Sequence, residues 1–373
     1  MERDSVSLKQ MTAAVFAGLF SPISRLLPRQ SLLIAGKSCM AAPLFALPPL
    51  LLIMLMFIRL MKNRKEGEGL GEVLKTALGR GAGTAAELIF GVWILLYGGF
   101  IARSGAERLL STAYPTGSAA LIAAAMLAMT LVSAMGRVRY AIRCSVMLSG
   151  LFGAVLALIF ITVLPGIKPQ YVWPVNAAQS GRILLSALPI VNVISPWVYF
   201  GFLGGYVRRE EKAARIGTKF HMLILAGVLM LMMCTVGTVG PELIRRQQFP
   251  VFAMLRNISS LRAIGSLEPP VVAIWMITDY VFVTLLLLSA AEIFTRVLKL
   301  PDRRYAAVPC AAVMFITARA IAPNEFVFMR ISERIVPAVN LSLIFAALAL
   351  ALPASELRKK IKEKKRKKGI DKV

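Results

Sequence analysis

Two ionisable residues, Arg25 and Asp279, lie inside apolar stretches long enough to cross a bilayer, and any chemistry in this chain would begin with them. A guanidinium or carboxylate at the centre of a membrane helix costs about 2.5 to 3.5 kcal/mol on insertion scales, so each needs a partner or a task. Side chains able to complete a small polar pocket are nearby in the pattern: Ser21 and Ser24 beside Arg25, and Trp93 and Tyr97 on the third stretch. Asn192, Ser195 and Tyr199 on the sixth stretch join them, with Thr278 and Thr284 beside Asp279. Taken singly, each of these more often packs or hydrogen-bonds between helices than touches a ligand. Glu87 and Glu292 fall nearer the ends of their stretches, where reaching the interface is the plainer reading.

Other chemistry finds little support. Cys39, Cys144, Cys234 and Cys310 have no CxxC spacing, and His221 is the single imidazole. A disulfide framework, a zinc site and a Cys/His nucleophile are therefore not expected. H-E-x-x-H, P-loop and G-x-S-x-G patterns are missing, as is a cluster of acidic residues for a metal. The expectation is a protein that is not an enzyme and carries no cofactor.

The elements that must position Arg25 and Asp279 follow from composition. The 373 residues are 57% hydrophobic and only 17% charged, yet carry a formal charge of +25. Soluble domains hold about a quarter charged residues, so this points to long apolar spans joined by basic loops rather than to a nucleic-acid binder. A spanning helix needs about 20 mostly apolar residues, and ten candidates meet or approach that: 8–35, 40–61, 84–101, 119–135, 140–164, 183–207, 220–239, 270–298, 306–321 and 331–352. Positive charges concentrate in 59–80, 137–143, 208–219, 296–304 and the C-terminal tail, which places both termini in the cytoplasm. No cleavable signal peptide is expected, because residues 1–9 are polar and the first apolar stretch lacks a small-residue cleavage site. The reading is one transmembrane domain over 1–356 and a basic tail over 357–373, whose Lys and Arg run suits anionic lipid better than nucleic acid.

Two spans carry interruptions. Ser21-Pro22-Ile23-Ser24-Arg25-Leu26-Leu27-Pro28 holds two prolines in the first, and Pro189 and Pro196 bracket Asn192 and Ser195 in the sixth. Each proline removes a backbone donor. Unwound backbone at membrane depth is tolerated only where protein or a wet cavity satisfies the freed groups. Breaks in spans one and six of ten, five apart, are what an inverted five-plus-five repeat produces, with half-helix ends aimed at a ligand near the midplane. Simple proline kinks are the alternative. On the repeat reading, Arg25 and Asp279 pair between spans one and eight, and the guanidinium supplies the charge that a coupling sodium supplies in such carriers; a purely structural ion pair is the alternative. The 241–269 connection is read as one or two short helices, Met254 to Leu261 among them, lying over the outer mouth, and Tyr171 to Pro174 as an interfacial anchor.

Leu8-Lys9-Gln10, Leu27-Pro28-Arg29, and a longer pattern are shared with a known group. That pattern runs from Phe249-Pro250 through Arg256-Asn257-Ile258 and Leu267-Glu268-Pro269 to Ala273-Ile274-Trp275-Met276-Ile277-Thr278-Asp279-Tyr280. With the length and spans, they resemble the spore-germination permease family, the multi-spanning subunit of nutrient germinant receptors within the amino acid, polyamine and organocation transporter superfamily. The resemblance implies a ten-helix inverted-repeat bundle that senses a small nutrient, typically an amino acid. It also implies two partner subunits, a membrane protein with soluble domains and a lipoprotein, in the inner membrane of the spore. Relatives commonly carry Gly-x-Gly at the break in span one and Gly-x-Glu in span six, where this chain has Ser21-Pro22-Ile23 and Val198-Tyr199-Phe200. A secondary transporter of amino acids or related molecules, and a purely structural scaffold, are the competing readings.

Overall fold

The computed structural model describes residues 5–62, 64–112, 114–256 and 268–370. The chain is helical, and among the described residues the only extended pairing is a single parallel bridge between Val6 and Val207. Helices α1 (Leu8–Ala35), α2 (Ala42–Met61), α3 (Leu70–Leu78), α4 (Arg80–Thr112), α5 (Ala119–Met135), α6 (Val138–Val163) and the short α7 (Pro169–Val172) come first. They are followed by α8 (Ser180–Ile194), α9 (Ala213–Val239), α10 (Pro241–Arg246), α11 (Pro250–Arg256), α12 (Glu268–Val297), α13 (Arg303–Ala320), α14 (Glu325–Arg330) and α15 (Val336–Ile370). Among the described residues, seven segments are long and apolar enough to cross a membrane, and one of these, Leu8–Met61, contains both α1 and α2. The chain is thus an integral membrane protein. The expected span 119–135 coincides with α5, whereas the expected 84–101 is the middle of the much longer α4.

Local chemistry sets the helix ends. Ser7 Oγ accepts from Gln10 N at 3.2 Å while Ser7 N donates to Gln10 Oε1 at 3.0 Å, a reciprocal cap that starts α1. Gly36, at φ 55°, ends it. Ser118 and Asn324 cap α5 and α14 one way, their side chains accepting from the backbone N–H groups of Leu121 and Val327.

The predicted break in the first span does not occur. Helix α1 is continuous from Leu8 to Ala35, with Pro22 and Pro28 inside it. A proline removes one ladder bond, and here α6, α8, α9 and α12 pack around α1 and hold the helix through both losses. The sixth span does change character. After Ile194 the chain tightens into a 3₁₀-helix over Ser195–Tyr206. Pro196 has no N–H for the Asn192 carbonyl, and Ser195 Oγ reaches that carbonyl at 3.4 Å instead. Arg64 closes the far end, donating to the carbonyls of Gly204 and, at 2.7 Å, Val207.

Described residues near both termini reach the same face of the bundle. Val6 bonds Tyr206 and Arg208 there, and Arg358 donates to the Thr76 carbonyl at 3.1 Å. The last helix runs through Glu356 without interruption, so the sequence-derived boundary between bundle and tail is no break in secondary structure. On the opposite face lie α7, α10, α11 and α14. Of the expected outer helices, Met254 falls in α11; Asn257 to Leu267, including part of the family-like pattern, lies outside the described residues. His221 is buried between Trp197 and Phe220, its Nδ1 at 2.8 Å from the Gly217 carbonyl.

Candidate ligand site

Helices α1, α4 and α12 meet at Asp279, which is 1% exposed. Ser21 Oγ donates to Asp279 Oδ1, and Arg108 Nη2 donates both to Asp279 Oδ2 and, at 3.0 Å, to Ser21 Oγ. One turn along α12, Trp275 Nε1 donates to Ser24 Oγ at 3.0 Å, and Ser24 in turn donates to the Ser21 carbonyl at 3.0 Å. The Arg108 guanidinium carbon lies 5.0 Å from the centre of the Trp275 ring. Every hydroxyl and carboxylate oxygen named here is engaged, as a buried polar network requires. Gly105 makes the approach possible: a Cβ there would lie 2.7 Å from Asp279 Oδ2, so any larger residue would displace the carboxylate.

The partner of Asp279 is therefore Arg108, not Arg25 as the spacing of charged residues suggested. Apolar length places the end of the third span at Ile101 and consigns Arg108 to a loop, but α4 continues to Thr112. The signal was the helical register: Tyr97, Ser104 and Arg108 follow one another at seven and four residues along a continuous buried face. Arg25, 9% exposed, turns instead toward α14, its guanidinium carbon 5.3 Å from the Phe100 ring centre and 5.9 Å from that of Phe328. Those two rings stack on each other at 4.9 Å. Arg25 lines a cavity of about 40 Å³ together with Ser104, Glu107, Phe328, Ser332 and Glu333.

A second polar group lies alongside. Tyr199 OH and Trp93 Nε1 donate to Asn340 Oδ1 at 2.6 and 2.8 Å. Tyr97 stacks on Trp93 and Phe100, and meets Tyr199 edge-on. Tyr97 thus links the ring contacts of Arg25 to those of Tyr199. Nothing in the sequence singles out Asn340, a lone amide in an otherwise apolar stretch. The remaining sequence-derived candidates turn to their own helices: Thr278 Oγ1 bonds the Trp275 carbonyl, Ser195 bonds the Asn192 carbonyl, and the Asn192 side-chain oxygen has no hydrogen-bond partner among the described residues. The eleven candidates therefore divide into Ser21, Ser24 and Asp279 in one junction, and Arg25, Trp93, Tyr97 and Tyr199 along its aromatic flank. Among the described residues Asn192, Ser195 and Thr284 hydrogen-bond to neither group, and Thr278 reaches only the Trp275 carbonyl.

At the termini face lies a separate set of buried and half-buried charges. Glu87, expected to reach the interface, is fully buried on α4 and takes Lys75 Nζ at 2.5 Å. Arg296 bridges Glu72 and Glu292, the latter at 2.7 Å, and Tyr206 OH donates to Glu292 at 3.0 Å. No group of three or more His, Cys, Asp or Glu able to hold a metal ion occurs among the described residues.

No curated protein sequence matches the chain. Its fold is similar to that of a nucleobase-cation-symport-1 family transporter solved in a closed conformation with bromovinylhydantoin bound, at a TM-score of 0.54 and 12% identity, over 96% of this chain and 94% of that one. The likeness is one of fold. The sequence model of a family described as "Spore germination protein" matches residues 41–326, a span that takes in Arg108, Trp275 and Asp279 of the buried junction. The chain belongs to the spore germination protein family.

Proposed function

We propose that this chain is the membrane subunit of a spore germinant receptor, which binds a small, amino-acid-like nutrient among α1, α4 and α12 and thereby triggers germination. In this reading ten spans form an inverted five-plus-five repeat, both termini face the cytoplasm, and the bundle resides in the spore inner membrane. The basic C-terminal run rests on anionic lipid, and two further subunits, a membrane protein with soluble domains and a lipoprotein, complete the receptor.

The observation that supports it is the Asp279 junction, where three helices distant in sequence share one carboxylate beside a buried guanidinium. Ionisable groups at this depth in a membrane bundle are expensive and usually functional. A ligand competing for any one of these hydrogen bonds would change how the helices pack, which is the differential contact a sensor needs. Thermal melting of the purified chain against a panel of amino acids, with germination of spores in which this chain alone is disrupted, tests the proposal. A saturable rise in melting temperature with one nutrient, and loss of germination on that nutrient, is expected. No shift with any compound and unimpaired germination would remove it.

The similarity of fold to a transporter favours a second reading, a secondary transporter of amino acids or related small molecules. Uptake of labelled amino acid into proteoliposomes holding this chain alone would select it over the sensor.

A further inference from the structure

The charges of the buried junction do not balance. Two buried guanidinium groups, Arg25 and Arg108, stand beside a single carboxylate, Asp279, which Arg108 pairs, so one positive charge is in excess. The two acids that line the same cavity as Arg25 are already engaged, Glu107 by Arg103 at 2.6 Å and Glu333 by Arg29 at 2.6 Å. Asp279 is occupied by Arg108 and Ser21, and Arg25 Nη2 is buried with no hydrogen-bond partner among the described residues. The rings of Phe100 and Phe328 stabilise a cation but supply neither a counter-charge nor a lone pair in the guanidinium plane. An unpaired buried charge of this kind is retained at a cost, and an anion is what would offset it.

The space in front of Arg25 fits such an anion. Its cavity of about 40 Å³ also takes in Ser332, whose Oγ is buried and likewise lacks a partner among the described residues. Ser332 lies in a π-helical turn over Ile331–Ile335, where the widened backbone carries the hydroxyl to the cavity wall. A single water needs about 10 to 15 Å³ on this measure, so the cavity has room for a carboxylate group and little more.

We propose that Arg25 is the anion-recognition residue of the site and that it takes the carboxylate of a small monocarboxylate, with Ser332 Oγ as a second donor. A guanidinium presents a planar fork that matches a carboxylate with two parallel N–H bonds, which a spherical halide cannot use. The inference rests on the proposed ligand role of this junction and names the chemical class of its ligand. Because α1 is continuous here, a side chain does the work that unwound backbone would do in a broken helix.

The test uses the purified full-length chain and acetate as the probe. Equilibrium dialysis with labelled acetate, and melting temperature against acetate at constant sodium concentration, should both show saturable binding. Neither acetamide, the neutral isostere, nor chloride should reproduce it. Arg25→Gln should weaken acetate binding by about ten- to a hundred-fold, the loss of one charged hydrogen-bonding group, with partial recovery in Arg25→Lys. Equal binding of acetamide or chloride overturns the carboxylate assignment; undiminished binding by Arg25→Gln overturns the role of Arg25. The acetate and acetamide comparison is made on the unaltered protein and holds even if Arg25→Gln does not fold. Acetate binding without any nutrient response would leave this site standing and remove the receptor reading, whereas a nutrient response without acetate binding would do the reverse.

Discussion

At the termini face, three carboxylates, Glu72, Glu87 and Glu292, share two cations, Lys75 and Arg296. In the other half of the bundle, two buried cations, Arg25 and Arg108, stand against one carboxylate, Asp279, which Arg108 pairs. Both groups are buried charge, but they are built for different ends. The first is locked by backbone: a Cβ on Gly71 would collide with Glu87 Oε1, and one on Gly83 would meet the α3 backbone at Lys75. Lys75 keeps a quarter of its side chain exposed, so water and salt can balance the remaining charge. The second has no such outlet on Arg108, which is 2% exposed, and it leaves donors of Arg25 unengaged beside a cavity. The contrast separates a brace, held by close backbone and open to water at Lys75, from a site whose excess charge is enclosed and remains for a ligand to resolve.

Three substitutions would break or sharpen that contrast. The largest effect is expected at Asp279: Asp279→Asn leaves Arg108 buried and without its counter-charge, and should cost about 3 to 5 kcal/mol, read as a lowered melting midpoint of the purified chain. A change below about 1 kcal/mol would mean that water reaches this junction. Next comes Glu87→Gln, which removes the partner of Lys75 but leaves that amine able to swing toward water. A loss of about 1 to 3 kcal/mol in the same measurement is expected, with unchanged binding of any ligand found for the Asp279 junction. Should ligand binding fall together with stability, the two charge groups are coupled and the brace is part of the site. The smallest effect belongs to Arg59→Ala. The 2.6 Å pair of Arg59 with Glu356 joins side chains that are 67% and 42% exposed, and its loss should stay within about 0.5 kcal/mol and vanish in high salt.

Much of the bundle is legible in the amino-acid sequence. Apolar runs of bilayer length locate α5, α9 and α12 to within a few residues at most ends, because hydropathy and length alone decide what lipid accepts. Arg25 and Asp279 stand out for the same reason, as charges that an apolar run would not otherwise carry. Arg108 is hidden by that very logic: a run looks finished at its first cluster of polar residues, although α4 continues for eleven residues past Ile101. The prolines mislead in the other direction. Pro22 and Pro28 read like Pro189 and Pro196, yet α1 stays α-helical and the sixth span tightens into a 3₁₀-helix. A proline states only which hydrogen bond is lost; the surrounding helices decide whether the backbone yields.

The sequence by itself determined that this is a helical membrane protein, roughly where its spans run, and which few charges are costly enough to need a reason. These follow from the transfer energy of each residue, a property that does not depend on what lies beside it. Only the tertiary structure decided that Asp279 belongs to Arg108 and Ser21, that Arg25 faces an aromatic pair and a cavity, and that Glu87 is sealed inside rather than at the interface. Pairing depends on depth, register and helix rotation, and a shift of one residue turns a side chain by about 100° around its axis.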